Sequence, residues 1–313
     1  MAGYLLRRVL ASIPVLGVVS FFVFALLRLS PGDPAMILAG DGATPAQLDA
    51  MRHSMGLDKG IIEQFVIWLL KILHGDFGVS LITGLPMSEL VRDRFGPSLA
   101  LCLSTITLAV VVAIPVGVIA AWKRGQALDR IIMSGSVVAF SVPVFIIGYL
   151  LILIFSRGLG WFPVQGYQPL SEGFGGFAYR LVLPTLTMSA PFIALISRIV
   201  RTSVIEVLGE DYIRTARSKG LSELEVLFDH ALGNAAVPIA TVVGVSIALL
   251  IGGAVVTESV FNIPGMGRLV LESVLSRDFT AIQTLILLSS VTYVGINLAI
   301  DILYSILDPR IRY

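Results

Sequence analysis

Long apolar runs alternate with short polar segments along the whole chain. Residues 9–27 (VLASIPVLGVVSFFVFALL) carry no charge and follow Arg7 and Arg8. A hydrocarbon core about 30 Å thick needs about 20 helical residues, so this run is predicted to be a first membrane span. It is long for the apolar part of a signal peptide, and no small-residue cleavage site follows it. An uncleaved span with a cytoplasmic N-terminus is therefore expected. Comparable runs predict spans at about 99–121, 131–155, 181–200, 235–256 and 282–303. Pro115 and Pro143 fall inside two of them. Proline frees a carbonyl and kinks a helix, so these positions mark either moving helices or packing kinks.

The polar segments differ in length. Residues 30–96 form a long interruption that opens with SPGDPA and contains Asp33, Asp41, Asp49, Asp58, Glu63, Asp76, Glu89 and Asp93. Within it, residues 61–73 (IIEQFVIWLLKIL) are apolar but too short to span. Trp68 and Lys71 suit a helix lying on the membrane surface; a helix buried in an external domain is the alternative. GDFGVS follows at 75–80, and Pro-Gly and Gly-Asp are also ordinary turn pairs. Residues 157–180 read as a second external loop, with Trp161 and Tyr179 as interface anchors. A third external loop, 258–279, holds Pro264, Gly265 and Gly267.

The most organised polar stretch is 211–238, DYIRTARSKGLSELEVLFDHALGNAAVP. Gly220 is placed to end one helix, because glycine tolerates the left-handed conformation of a helix exit. Ser222 and Glu225 have the spacing of a capping box, and Leu221 and Val226 that of a hydrophobic staple. Leu224, Leu227, Phe228 and Ala231 predict an apolar face on the second helix. Val204, Val207, Leu208, Tyr212, Thr215 and Ala216 predict one on the first. Two amphipathic helices joined by a tight turn between spans form a knuckle that a partner could grip. DNA binding through Arg214, Arg217 and Lys219 and a merely structural loop are the competing readings; the flanking apolar segments argue against the first.

Composition sharpens this picture. The 313-residue chain is 56% hydrophobic and only 14% charged, against roughly a quarter charged in soluble proteins. A polytopic membrane protein follows. The net charge of +1 gives no reason to expect nucleic acid. The single cysteine, Cys102, lies in an apolar run and cannot form an intrachain disulfide. No GxxxxGK[ST], HExxH or CxxC pattern is present, so no ATPase or metal site is recognisable. Basic residues in the short loops set the orientation. Arg7, Arg8, Lys123, Arg124, Arg130, Arg201, Arg214, Arg217, Lys219, Arg310 and Arg312 fall on one side, against Arg157, Arg180, Arg268 and Arg277 on the other. Six spans with both termini and the knuckle in the cytoplasm satisfy the pattern.

Charges within the spans are few. Arg198 and Asp301 lie near helix ends, where snorkelling or pairing is expected, and Glu258 stands at the external end of the fifth span. Without an acidic relay at the midplane, a self-contained carrier is disfavoured. An intramembrane enzyme of the Ser/His kind is disfavoured too, since His53, His74 and His230 all lie outside the spans. Gly244, Ser246, Ala248, Gly252, Gly253 and Ala254 make the fifth span rich in small residues, for close packing or for lining a path. Ser246, Gly252 and Glu258 are the candidate path residues.

Residues 211–238 resemble the EAA loop of ABC-transporter permeases. Gly220 falls on that loop's glycine, Ala216 on its second alanine and Leu232 on its leucine. Arg214, Thr215, His230 and Gly233 stand where the pattern has glutamate, alanine, isoleucine and proline. The variant DYIRTARSKGLSE…HALGNAAVP, together with SPGDPA, GDFGVS, the NIPGMG loop and DPRIR, is similar to the peptide/nickel branch. The resemblance implies an all-α polytopic fold, the type I ABC importer transmembrane domain, with six transmembrane helices and an enlarged first external loop. It divides the chain into 1–94 (first helix and external loop), 95–307 (transmembrane domain) and 308–313 (cytoplasmic tail). It implies a bacterial inner-membrane location and four kinds of neighbour: a second related permease, two cytoplasmic ATPases, an extracytoplasmic substrate-binding protein and the lipid bilayer. ATP and magnesium would be bound by the ATPases, leaving this chain without cofactor, metal or catalytic residues of its own. Coupling to the ATPases would fall on Asp211, Tyr212, Arg214, Ala216, Gly220, Leu221, Ser222, Glu225 and Phe228. Di- or oligopeptides are the expected cargo, with glutathione or a nickel complex as alternatives in the same branch; no His or Cys cluster favours nickel.

Overall fold

The computed structural model describes residues 2–29, 35–36, 42–54 and 56–307, and among these the chain is almost wholly helical. SPGDPA, apart from Ala35, and the tail at 308–313 lie outside the described residues. The long helices are α1 (Ala2–Leu29), α2 (Pro45–Ser54), α3 (Ile61–Leu73), α4 (Met87–Trp122), α5 (Ala127–Ser141) and α6 (Val144–Leu151). They continue with α7 (Phe174–Leu208), α8 (Asp211–Ser218), α9 (Ala236–Val260), α10 (Met266–Leu275) and α11 (Phe279–Leu307). Among the described residues five helices are long and apolar enough to cross a membrane, and six if the bent pair α5–α6 counts as one span.

That pair is where the structure departs most from the sequence expectation. Pro143 was expected to kink a continuous span. Instead α5 and the segment from Val144 to Gly158 meet at 102°. The reason lies in two successive extended residues, Val142 (ψ 126°) and Pro143 (ψ 135°). Proline drives its predecessor out of the helical region, and Pro143 itself is also extended, so the helix is broken rather than bent. Beyond α6 the chain winds on as a π-helical turn, Ile152–Gly158.

α4 and α7 are longer than their apolar cores. α4 begins at Met87 rather than near 99, and α7 at Phe174 rather than near 181. At 36 and 35 residues each reaches about 50 Å, well beyond a hydrocarbon core of about 30 Å. They run parallel through the centre of the molecule. The Ser104 and Thr185 hydroxyls are 2.8 Å apart near one end. Towards the other end Gly117 sits so close to α7 that a Cβ there would lie 2.6 Å from the Ser197 carbonyl oxygen. Only a residue without a side chain allows that approach.

Two apolar cores flank this axis. The inner one joins Ala109, Ala113 and Ala121 of α4, Ile196, Val200 and Val204 of α7, and Leu227 and Ala231 beyond α8. The outer one joins Leu101, Leu183, Met188, Leu250, Phe261 and Ile263. Asp301 of α11 pairs with Arg8 of α1 at 3.1 Å, which brings the start of the first helix and the end of the last to the same side.

Candidate functional site

The knuckle is built from short-range interactions. α7 ends at Leu208, and the chain turns through Gly209 and Glu210 into α8. At the far end of α8, Gly220 adopts φ +85°. Its N–H reaches the Arg217 carbonyl at 3.0 Å, and the Leu221 N–H reaches the Ala216 carbonyl at 3.4 Å. This is the Schellman pattern, in which the two amides satisfy carbonyls that the ending helix leaves open. No atom crowds the Gly220 Cβ position, so glycine is required there by backbone conformation and not by space.

Ser222 then caps the next turn. Its backbone N–H and hydroxyl donate to Glu225 at 2.7 and 2.8 Å, and the Glu225 N–H donates to the Ser222 hydroxyl at 3.4 Å. These donors hold the Glu225 carboxyl below its ordinary pKa. Across the turn, Arg217 grips Glu223 through two hydrogen bonds, at 2.9 and 3.2 Å. Ile213, Ala216 and Val226 are buried together with Val207, Leu208 and Leu221 around them. Leu221 and Val226 thus meet as the staple spacing predicts.

The two predicted faces need correction. On the first arm the buried positions are Ile213 and Ala216, while Tyr212 and Thr215 are exposed. The expected stripe carried one helical register across Gly209, but the chain starts a new helix at Asp211 and the register is reset. On the second arm Glu223–Glu225 runs into a π-helical turn, Val226–Leu232. Wider winding separates residues that an α-helix would superpose. Val226, Leu227 and Ala231 turn inward, whereas Leu224 and Phe228 are 57% and 60% exposed. The outward surface therefore offers Tyr212, Leu224 and Phe228 among Asp211, Arg214 and Lys219, all exposed. Exposed apolar groups rimmed by charge are what a protein partner binds.

The knuckle is rooted in the spans. Leu227 and Ala231 belong to the inner core with α4 and α7. Just above, Arg201 of α7 grips Asp129 of α5 through hydrogen bonds of 2.6 and 2.7 Å, and the Gly125 N–H adds a third at 2.9 Å. Asp129 is nearly fully buried. This pair ties the turn before α5 to the helix that leads into α8. Sequence reasoning counted Arg201 only as a basic residue; the one signal was a lone acid inside the basic stretch KRGQALDR.

The three candidate path residues do not share a surface. Ser246 is buried and its hydroxyl donates to the Val242 carbonyl at 2.7 Å. Gly252 is exposed on α9 with nothing near its Cβ position. It lies on an open stripe with Thr241, Val245, Leu249 and Val256. Glu258 is fully buried. The small residues of α9 likewise divide: Gly244 packs against Ile300, while Gly252 faces open space.

Glu258 instead organises the end of the bundle opposite the knuckle, which the topology expected from the basic residues makes the outer face. It accepts hydrogen bonds from the Ser98 hydroxyl at 2.5 Å and from the Arg268 N–H at 2.8 Å. Ser98 in turn accepts from the Met266 N–H at 2.7 Å. The carboxylate thus caps the first turn of α10, where unpaired amides and the helix dipole favour an anion. A Cβ on Gly265 would collide with that carboxylate, and one on Gly267 would lie 2.8 Å from the Val255 Cα. The glycines of NIPGMG are there because the loop wraps a buried acid. Nearby, GDFGVS docks on the start of α11. Ser80 donates to Asp278 at 2.5 Å, Thr284 donates to the Phe77 carbonyl at 3.1 Å, and Gly78 (φ +78°) packs against Thr280.

Comparison with known proteins places this architecture. Residues 113–313 match the family "Binding-protein-dependent transport system inner membrane component", and residues 1–102 match the corresponding N-terminal family. The chain is 48% identical over its full length to the whole of "Probable peptide ABC transporter permease protein y4tP" of Sinorhizobium fredii. It is 40% identical, again over the whole of both chains, to "Glutathione transport system permease protein GsiC" of Escherichia coli K12. A permease chain of the MetNI methionine ABC transporter, in an inward-facing conformation, shares the fold at TM-score 0.60 and 18% identity, over 71% of this chain and 98% of that one. The chain belongs to the binding-protein-dependent inner membrane permease family, and it is a multi-pass permease subunit of an ABC importer with the type I transmembrane fold.

Proposed function

We propose that this permease imports di- or oligopeptides across a bacterial inner membrane, and that residues 211–238 couple it to cytoplasmic ATPases. A second related permease would complete the translocation path, two ATPases would seat on the knuckles, and an extracytoplasmic binding protein would deliver the peptide. ATP and magnesium would act in the ATPases. In this reading both termini face the cytoplasm, in agreement with the basic residues of the short loops and with the Arg8–Asp301 pair.

One observation carries the coupling role: the knuckle is rigid and two-sided. Its inner side is held by the capping box, the glycine exit and the buried Ile213, Ala216 and Val226. Its outer side presents Tyr212, Leu224 and Phe228. A push on the outer side reaches α4 and α7 through Leu227 and Ala231, because close-packed interiors transmit displacement. The open stripe of α9 around Gly252 is the best candidate for lining the path, with Ser246 and Glu258 supporting it from within.

The test separates docking from folding. Leu224→Asp with Phe228→Asp places charge on exposed positions only. Co-purification of the ATPases is expected to fall at least about tenfold, as when an interface anchor is lost, with the melting temperature of the permease unchanged. Retained co-purification would refute the coupling surface. Gly220→Val should weaken docking by straining the turn, since a β-branched residue resists positive φ, while membrane insertion persists. The relative named for glutathione transport supports a second cargo. Competition of labelled dipeptide uptake by glutathione in reconstituted transporter decides between them.

A further inference from the structure

We infer that α3 lies within the outer surface of the bilayer, with Ile62, Val66, Leu70 and Leu73 immersed among lipid acyl chains. α3 has no buried residue. Winding at about 100° per residue, it carries three sectors. Phe65, Trp68 and Ile72 form one. Glu63, Gln64 and Lys71, with Ile67 among them, form another. Ile62, Leu69, Val66, Leu70 and Leu73 form the third, and of these Ile62 is 70% and Leu73 73% exposed.

The first sector fixes the depth. The Phe65 ring lies 5.4 Å from Phe21 and 5.6 Å from Phe24, and Trp68 lies 5.6 Å from Phe24. Phe21 and Phe24 belong to the apolar window Arg7–Ala25 of the first span, close to its outer end. α3 is therefore pinned beside the outermost turns of a helix whose own flank, including Val18 and Phe22, is exposed and apolar. The third sector is exposed and apolar as well. At 13 residues α3 measures about 20 Å, too short to cross, so it lies along the surface. Trp68 serves this arrangement by packing on Phe24.

The second sector faces the water side. Lys59 pairs with Glu63 at 2.8 Å, and Gln64 donates to the carbonyls of Leu57 and Lys59 at 3.3 and 2.7 Å, so the polar sector is folded under the preceding turn of the external loop. An apolar sector beside the span opposed to a polar one is the pattern of an interfacial helix. The lipid contact also has a consequence for the outer face. The GDFGVS turn that docks on α11 follows α3 directly, so the bilayer holds one end of that docking segment in place.

The test uses the assembled transporter in nanodiscs of phosphatidylethanolamine and phosphatidylglycerol, in a Cys102→Ser background that retains uptake. Spin labels are placed singly at Ile62, Val66 and Leu70 and, on the other side, at Glu63 and Lys71. Collision with oxygen should exceed collision with a water-soluble nickel chelate at the first three, and the ratio should invert at the last two. Chelate access at all five positions would overturn the inference in favour of a water-exposed helix. Low access to both reagents at Ile62, Val66 and Leu70 would overturn it in favour of a protein partner covering the face. A bimane label on Val66→Cys, quenched by brominated acyl chains and not by aqueous iodide, gives an independent reading of the same contact.

Discussion

The knuckle and the outer face are both tight polar assemblies, but they are held in opposite ways. In the knuckle the decisive hydrogen bonds join residues three to six apart: Ser222 with Glu225, and Arg217 with Glu223. At the outer face they join residues 160 to 207 apart: Ser98 with Glu258, Ser80 with Asp278, Phe77 with Thr284. A local device can stay rigid while the spans around it shift, which suits a surface that takes up force. A device closed between distant segments holds only while those segments keep their relative positions. It binds the first external loop, α4, α9, α10 and the start of α11 into one body.

This contrast can be broken by mutation. The largest effect is expected for Glu258→Ala, which leaves the Ser98 hydroxyl and the Arg268 amide without their charged acceptor. Unpaired buried donors cost about 1 kcal/mol or more each, so a loss of about 3 kcal/mol should appear as a lower melting temperature of the solubilised transporter. ATPase co-purification should survive it; loss of docking would mean that the two regions are not independent. Asp278→Ala should follow at about 2 kcal/mol, with the same separation, read by thermal unfolding and by protease access to the 75–80 turn.

Ser222→Ala should cost about 1 kcal/mol, the usual loss for a removed cap. The global melting temperature should barely move, because the cap serves one turn. ATP hydrolysis per peptide transported should rise, since a looser knuckle transmits less motion. A fall in melting temperature as large as that of Glu258→Ala would erase the distinction drawn here. The smallest effect concerns pH. The carboxyl of Glu225 is held below its ordinary value of 4.5 by the Ser222 donors. A depressed carboxylate contributes stability that is present above that value and lost as pH falls through the depressed one. The Ser222 amide shift should therefore titrate below pH 4.5, and Glu225→Gln should abolish that titration.

The same difference in range explains what could be read before folding. The capping box, the glycine exit and the Leu221–Val226 staple were legible because each depends on residues a few positions apart. Six apolar runs were legible because lipid imposes a length on every span. The faces of the knuckle arms were misjudged, since a helix restart at Asp211 and a π turn at Val226–Leu232 reset the register. Pro143 was seen but not the 102° break around it. The Asp129–Arg201 pair was missed, because the lone acid in KRGQALDR was the one local signal and it does not say which residue, 72 positions away, is its partner.

From its sequence alone this chain is a polytopic membrane protein with a doubly capped knuckle between its fourth and fifth spans. Hydropathy, basic-residue bias and cap spacing are properties of short windows, and short windows carry them whole. Only the tertiary structure decided that Glu258 ties Ser98 of α4 to the first turn of α10. It also decided that Phe228 faces outward while Leu227 faces in, and that α3 rests against α1. Each of these depends on which distant segments come together, and that is settled by packing across the bundle rather than by any stretch of residues within it.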